Sequence, residues 1–363
     1  MRVLACSVGL FLWSASPARA QLTPELRLHV GETPEAPITV VSDLELDRNG
    51  RIYVAEPIEA AVYVLDTSGT ILNRIGRQGG GPGEFRRPLG LGWKADTLWV
   101  ADPSQRRISL FQRDGDFVRS AGVQGLNMVA ALLNDGSVLA VASQQQEGLR
   151  YLLRIPPGGT HADTLVHLDV PGRTRIAVGP GAIVTPQPFA HTDLWSASSD
   201  GGAVYVVRSG NSSDGEHRIQ IMRFAPMGNV VYTRRHRYEP KPLTDAIFER
   251  VVSDLIASIE ESRPPGMGPA PLDEQAIRDA LSRTRFLPPV TDLLPNRDGS
   301  LWIRREEREG ASARWDIIDP HGDVAGSITL PRDLSVLLLD GKQLWGVERD
   351  EWDLPIIVRY RVP

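Results

Sequence analysis

Acidic side chains follow several strand-like segments of the sequence at matching positions. Glu56, Asp102 and Glu348 each lie three residues after the aromatic residue of such a segment. If the loops that carry them converge, their oxygens would suit Ca²⁺, which prefers several oxygen ligands. The other interpretation is ordinary charge on solvated loops. The sequence therefore requires no cofactor, but it leaves Ca²⁺ or another divalent ion open.

Arginines share the predicted loops with these carboxylates. Arg87, Arg106 and Arg305 are the members that we single out as candidate ligand contacts. Mixed-sign charge usually forms surface ion pairs of little individual value. Guanidinium groups also bind planar anions in a bidentate manner. A site for an anionic glycan or a carboxylate ligand is thus the second interpretation.

The histidines show no close metal-ligand spacing. His191 and His236 fall in predicted links between repeats, which makes them the two candidates for ligand contact. The chain lacks the Gly-x-Ser-x-Gly arrangement of many hydrolases. The glycine run at 79–83 lacks the Lys and Ser/Thr of a phosphate-binding loop. No nucleophilic site is predicted.

The N-terminus has the features of a secretory leader. Arg2, the apolar run Val3–Trp13 and the small-x-small site ending at Ala20 follow in the usual order. We expect residues 1–20 to be a signal peptide and residues 21–363 to be exported, to the periplasm or beyond. The single cysteine, Cys6, would leave with the leader, so the mature chain would have no disulfide.

Composition narrows the partners. The net charge of −5 argues against a nucleic-acid partner. The leader's apolar run is too short to span a bilayer, and no later run is long enough, so we predict no transmembrane segment. We expect a monomer whose partner is a protein, a peptide or a glycan.

One pattern repeats through the mature chain. A polar turn precedes an alternating segment that has an aromatic or large apolar residue at its fourth place. The copies begin at Gly50, Asp96, Gly136, Gly202, Gly299 and Lys342. Further alternating segments separated by Gly or Asp-Gly turns follow most copies, which indicates hairpins. Four-stranded meanders of this kind bury their faces by stacking radially, so the pattern predicts an all-β, six-bladed β-propeller.

The ends of the chain complement each other. The last unit ends after three predicted strands, and the segment Leu26–Gly31 resembles the outer strands of earlier units. We expect this N-terminal strand to pair with the last blade and close the ring. No sheet edge would then be left free at the joint.

The stretch Gly76–Gly122 resembles an NHL repeat. Gly79-Gly80-Gly81-Pro82-Gly83-Glu84-Phe85, Leu98-Trp99-Val100-Ala101-Asp102 and Arg107-Ile108-Ser109-Leu110-Phe111 follow the order and spacing of that repeat. The first blade fits the repeat partly, and the other blades keep only its strand rhythm. The resemblance implies a six-bladed propeller of the exported bacterial kind. Propellers with this repeat include scaffolds and enzymes, so the fold does not choose the function.

The long insertions all connect one predicted blade to the next. The longest, at 242–288, changes to helical spacing at Ile247, Val251, Leu255 and Ile259. It predicts a helical insertion between blades 4 and 5, which is either a lid over the central channel or a packing element. We expect a binding or scaffold protein that uses this inter-blade face, and the alternative is a metal-dependent lyase or lactonase-like hydrolase in the channel.

Overall fold

The computed structural model describes residues 23–30, 38–122, 128–144, 149–159, 161–170, 174–178, 181–185, 187–211, 216–261, 273–306 and 310–362. The predicted leader and the predicted start at Gln21 lie outside these ranges, as does the middle of the helical insertion. Among the described residues, no helix is long and apolar enough to cross a bilayer.

Six antiparallel four-stranded sheets make up the ring, as the repeat predicts. Each sheet is one blade, and its strands follow one another from the axis outward. After β1 (Pro24–His29), blade 1 consists of β2 (Asp43–Leu46), β3 (Ile52–Glu56), β4 (Ala61–Leu65) and β5 (Ile71–Ile75). Blade 2 consists of β6 (Gly90–Lys94), β7 (Thr97–Asp102), β8 (Arg107–Phe111) and β9 (Phe117–Gly122). Blade 3 consists of β10 (Met128–Leu132), β11 (Val138–Gln144), β12 (Leu149–Ile155) and β13 (Asp163–Leu168).

A hairpin and two helices interrupt the second half of the ring. They are β14 (Thr174–Val178) with β15 (Gly181–Thr185), and α1 (Asp245–Glu261) with α2 (Glu274–Ala280). Blade 4 consists of β16 (Leu194–Ala197), β17 (Val204–Asn211), β18 (His217–Phe224) and β19 (Val230–Arg237). Blade 5 consists of β20 (Val290–Pro295), β21 (Leu301–Arg305), β22 (Ser312–Ile318) and β23 (Val324–Pro331). Blade 6 consists of β24 (Ser335–Asp340), β25 (Gln343–Arg349) and β26 (Pro355–Arg361), together with β1.

The N-terminal strand closes the ring. β1 pairs antiparallel with β26, and Leu28 lies opposite Ile357. The last sheet therefore has the order β1-β26-β25-β24 and combines the first described strand with the last three. The prediction of a closing strand is confirmed, although the strand begins at Pro24 and ends at His29.

The repeated aromatic residue of the second strand joins neighbouring blades. Tyr53 and Tyr205 are buried, and their hydroxyls donate to main-chain oxygens of the next blade, at Arg113 (3.0 Å) and Gly299 (2.9 Å). Trp345 packs into the core between blades 6 and 1. Since both faces of these strands are covered, the second strand is buried along its whole length in blade 1.

The helices lie between blades 4 and 5, as predicted, and their described apolar side chains pack outside the blade cores. Ile247, Val252 and Ile277 form a separate core with Ile176 of β14 and with Phe189. Phe189 stacks on Phe248 with ring centroids 5.5 Å apart. The hairpin β14–β15, which the sequence did not reveal, is thus the surface that receives the insertion.

Candidate functional site

The inner strands of the blades surround a central channel. A cavity of about 340 Å³ occupies it, with walls from β2, β6, β10, β16, β20 and β24. Asp43 and Glu45 both line this cavity, because residues two apart on a strand share a face. Trp99, Met128 and Trp195 contribute large side chains to the walls. The described lining includes no Lys or Arg side chain.

The two carboxyl groups differ in their surroundings. Asp43 is half-buried, and it accepts hydrogen bonds from the main-chain N–H groups of Leu91 (2.7 Å) and Leu44 (2.9 Å). Burial, aided by the nearby charge of Glu45, raises the pKa of Asp43 to about 8. Glu45 is 1% exposed, and burial raises its pKa to about 7 against the opposing effect of Arg297.

Arg297 contacts side chains of several blades at the end of the channel where the inner strands turn into the second strands. Its guanidinium forms an ion pair with Glu45 of blade 1 and lies 3.4 Å from the carboxylate of Asp340 in blade 6. It also donates to the hydroxyl of Ser199 in blade 4 at 3.2 Å. Arg297 itself lies in the β20–β21 turn of blade 5. Four blades therefore meet through one side chain at this end.

The side chain of Trp99, on β7, extends over the neighbouring inner strand β6 and lines the channel. Its ring covers Gly92, where a Cβ atom would come within 2.3 Å of the indole and 2.5 Å of the Ser199 carbonyl oxygen. Only glycine fits this position. Trp99 is 3% exposed, and its indole N–H has no hydrogen-bond partner within the described protein.

A second cavity, of about 310 Å³, lies between blades 4 and 5. The two ends of the link between these blades border it at 238–241 and 287–289, and β19, β21 and β22 supply its walls. We call this cavity the blade 4–5 cleft. Its lining contains four cationic side chains, Arg237, Lys241, Arg305 and Arg314, and three acidic ones, Glu239, Glu306 and Asp316.

Two arginines of the cleft surround one carboxylate. Arg314 donates to Asp316 at 2.7 Å, and Arg305 lies 3.7 Å from the same carboxylate. The Arg305 guanidinium also stacks over the ring of Tyr238, 5.6 Å from its centroid. The Arg314 side chain remains 51% exposed, so it can contact a ligand.

Two of the predicted site residues use their carboxylates to accept hydrogen bonds from main-chain N–H groups. Asp102 is fully buried and accepts from the N–H groups of Arg86 (2.7 Å) and Gln105 (3.1 Å). Glu56 is also fully buried and accepts from Val40 (3.1 Å) and Glu59 (2.6 Å). Because these carboxylates are fully buried and line neither of the two cavities, we leave both residues out of the proposed sites.

The other predicted site residues are dispersed around the ring. Arg87 and Arg106 are exposed on blade 2. His191 contacts the hydroxyl of Ser209 at 3.1 Å, and burial lowers its pKa. Glu348 pairs with Arg27 at 2.7 Å and accepts from the hydroxyl of Tyr360.

His236 does not lie in an inter-blade link, where the sequence placed it. It belongs to the outer strand β19, because the strand continues to Arg237 before the link begins. Its Nε2 lies 2.9 Å from the carbonyl oxygen of Gly322. His236 and Arg305 are the two predicted residues that share a cavity, the blade 4–5 cleft.

The channel carboxyl groups were missed by the sequence analysis. The alternation Asp43-Leu44-Glu45-Leu46 could have revealed them, since it places two acids on one face of a strand. Within the described ranges, no group of three or more His, Asp or Glu side chains is arranged to hold a metal ion.

Comparison with known proteins agrees with the fold. A family described as "6-bladed beta-propeller" has a sequence profile that matches residues 32–91. No curated protein matches the chain. A Bacteroides fragilis protein provisionally described as exported has a similar structure, with a TM-score of 0.50, 11% identity, and coverage of 96% of this chain and 98% of that one.

Two further similar structures have lower scores. Virginiamycin B lyase from Staphylococcus aureus has a TM-score of 0.42, 9% identity, and coverage of 93% of this chain and 99% of that one. Regucalcin from Agrobacterium tumefaciens, described as a calcium-binding protein, has a TM-score of 0.43, 11% identity, and coverage of 94% and 96%. At such identities the likeness concerns the fold, and this chain is a six-bladed β-propeller.

Proposed function

We propose that this chain is an exported binding protein of the NHL-like propeller kind. We further propose that its blade 4–5 cleft binds a peptide segment of a partner through the carboxylate groups of that peptide. The observation that carries the proposal is the cleft itself, whose lining has four cationic and three acidic side chains beside an inter-blade link, with the exposed Arg314 at its border. Guanidinium forks bind carboxylates well in such partly buried places.

The walls of the cleft suit a peptide. Tyr238 and Val324 provide apolar surface beside the charged groups. Binding pockets commonly combine an apolar lining with a few placed polar groups. Arg314 is a cation that can meet a ligand, because its side chain is half-exposed at the border of the cavity.

A peptide array with acidic, neutral and basic members tests the proposal. We expect the mature protein to retain acidic members selectively, and Arg314→Ala to weaken that retention by about tenfold, or ~1.4 kcal/mol. Arg119→Ala is the matched control, because Arg119 is an exposed strand arginine of blade 2. Equal retention of acidic and basic peptides, or an unchanged Arg314→Ala variant, would contradict the proposal.

Export has its own test. We expect protein recovered from outside the cytoplasm of its host to begin at Gln21, because residues 1–20 have the order of a signal peptide. Intact-mass measurement identifies the N-terminus. Retention of Met1 in that fraction would show that the leader is not removed.

A further inference from the structure

The central channel is chemically unlike the blade 4–5 cleft. Its described lining has two carboxyl groups, two tryptophans and several aliphatic side chains, and it has no cationic side chain. The Glu45 carboxylate is matched by Arg297. Asp43 has no cationic partner of this kind among the described residues, and the groups that contact it are main-chain N–H groups.

We propose that this channel binds a small organic cation, with the Asp43 carboxylate as the counter-charge and Trp99 and Trp195 as walls for its apolar body. The site lies apart from the blade 4–5 cleft, and it does not depend on the function proposed for that cleft.

Three observations support this ligand class. Asp43 is only half-buried, so its carboxyl group is accessible from the cavity that it lines. Aromatic rings beside a carboxylate attract ammonium groups through their π faces. Trp195 is only partly buried, so its ring is available to a ligand in the cavity. A cavity of about 340 Å³ is at the small end of known ligand sites.

The charge balance explains why a cation would stabilise this channel. Asp43 lies beside Glu45 on its own strand, Arg297 of blade 5 pairs with Glu45, and Asp340 of blade 6 lies near that same guanidinium. In the empty channel, burial and the nearby Glu45 disfavour the ionised form of Asp43. An ammonium group beside Asp43 would reverse that effect, so ligand binding should release a proton.

Calorimetric titration with choline chloride tests the proposal, with 3,3-dimethylbutan-1-ol as the uncharged analogue of equal shape. We expect choline to bind the mature protein at least about tenfold more tightly than the alcohol. Choline affinity should rise from about pH 6 to pH 8, because Asp43 must lose its proton. Equal affinity for both compounds, or no choline binding at roughly 10 mM, would overturn the proposal.

Variants identify the residues. Asp43→Asn should reduce choline affinity by about tenfold or more and abolish its pH dependence. Asp292→Asn is the matched control, because Asp292 lies on the inner strand β20 but lines a different depression with Arg304 and Arg332. Thermal melting establishes that each variant is folded. If Asp43→Asn is unstable, Trp195→Leu serves instead, and unchanged choline binding in either folded variant would refute the site.

The two proposals fail separately. Choline carries no carboxylate, so it lacks the group through which a peptide is proposed to bind the blade 4–5 cleft. Arg314→Ala should leave choline binding unchanged, and Asp43→Asn should leave acidic peptide retention unchanged. Loss of both activities in one folded variant would show that the cavities are not independent and would overturn the separate channel site.

Discussion

At the scale of single residues, the acidic side chains of this protein differ in whether they are fully buried or line a cavity. Asp102 and Glu56 are fully buried, yet each is surrounded by main-chain N–H donors. Asp43 receives such bonds as well, but it lies in a cavity beside a second acid. The difference arises from position: the first two end second strands, where inter-blade links pass, whereas Asp43 begins an inner strand.

Asp102→Ala should destabilise the protein by about 2–4 kcal/mol, because it removes the carboxylate oxygen that accepts from the main-chain N–H groups of Arg86 and Arg87. Chemical denaturation measures the change. Asp116→Ala is the control, since Asp116 is an exposed acid of the same blade. Equal stability of the two variants would show that Asp102 does not hold the link between blades 1 and 2.

Asp43→Asn should make the protein more stable than the wild type at pH 8. A pKa raised from 3.8 to about 8 means that the native state binds this proton more tightly than the unfolded state does. Wild-type stability contributed by this group is full below about pH 4 and is lost as pH rises towards about 8.

The measurement is the free energy of unfolding of both proteins between pH 4 and pH 8. The advantage of the variant should shrink as pH falls, because the wild-type carboxyl group then becomes protonated in both states. A difference that does not change with pH would contradict the raised pKa of Asp43.

At the scale of elements, the second strands and the insertion show two ways of burying apolar surface. Second strands are covered on both faces by neighbouring blades. The helices α1 and α2 bury their apolar side chains on the hairpin β14–β15 and on Phe189. Thr174 and Gln187 also donate to the carbonyl oxygen of Ala280, at 3.1 and 3.0 Å. Two separate links thus depend on each other.

Replacing 242–288 with a Gly-Ser linker should therefore expose Ile176 and Phe189 and increase binding of a hydrophobic dye. Removing 174–189 in the same protein should reverse that increase, because the receiving surface leaves with the helices. Dye fluorescence and thermal melting follow both variants. If the double variant does not fold, the insertion supports the blades themselves, which would contradict the separate core.

At the scale of the whole molecule, ring closure joins the first described strand to the last blade. β1 supplies the outer strand of the last blade, and Leu28 packs in the core shared by blades 6 and 1. Closing a propeller in this way leaves β26 paired on both sides. The stability of the ring therefore depends on a strand that is nearly a whole chain length away in sequence.

A chain that begins at residue 32 should melt at a clearly lower temperature than the mature protein, and it should self-associate through the uncovered β26. Calorimetry and sedimentation measure these effects. Leu28→Ala in the complete chain is the milder comparison, with an expected cost of about 2–4 kcal/mol. An unchanged melting temperature on truncation would show that β1 is not needed for closure.

The sequence by itself determined the architecture. Alternation, the repeated aromatic residue and the turn glycines are local signals, and they predicted six blades, the closing strand and the helical segment between blades 4 and 5. The strands, turns and helices are determined by neighbours in the chain, and the closing strand follows from the last unit being one strand short, so these features can be read without coordinates.

The tertiary structure decided which side chains meet. His236 and Arg305 come from different blades and share a cleft, while Asp102 and Glu56 turn inward onto main-chain donors. Asp43 and Arg297 gain their environments from blades far apart in sequence. The shape of a cavity depends on the distance of each blade from the axis and on which side chains pack over the inner strands, as the Trp99 ring packs over Gly92. Such long-range geometry has no local pattern in the sequence.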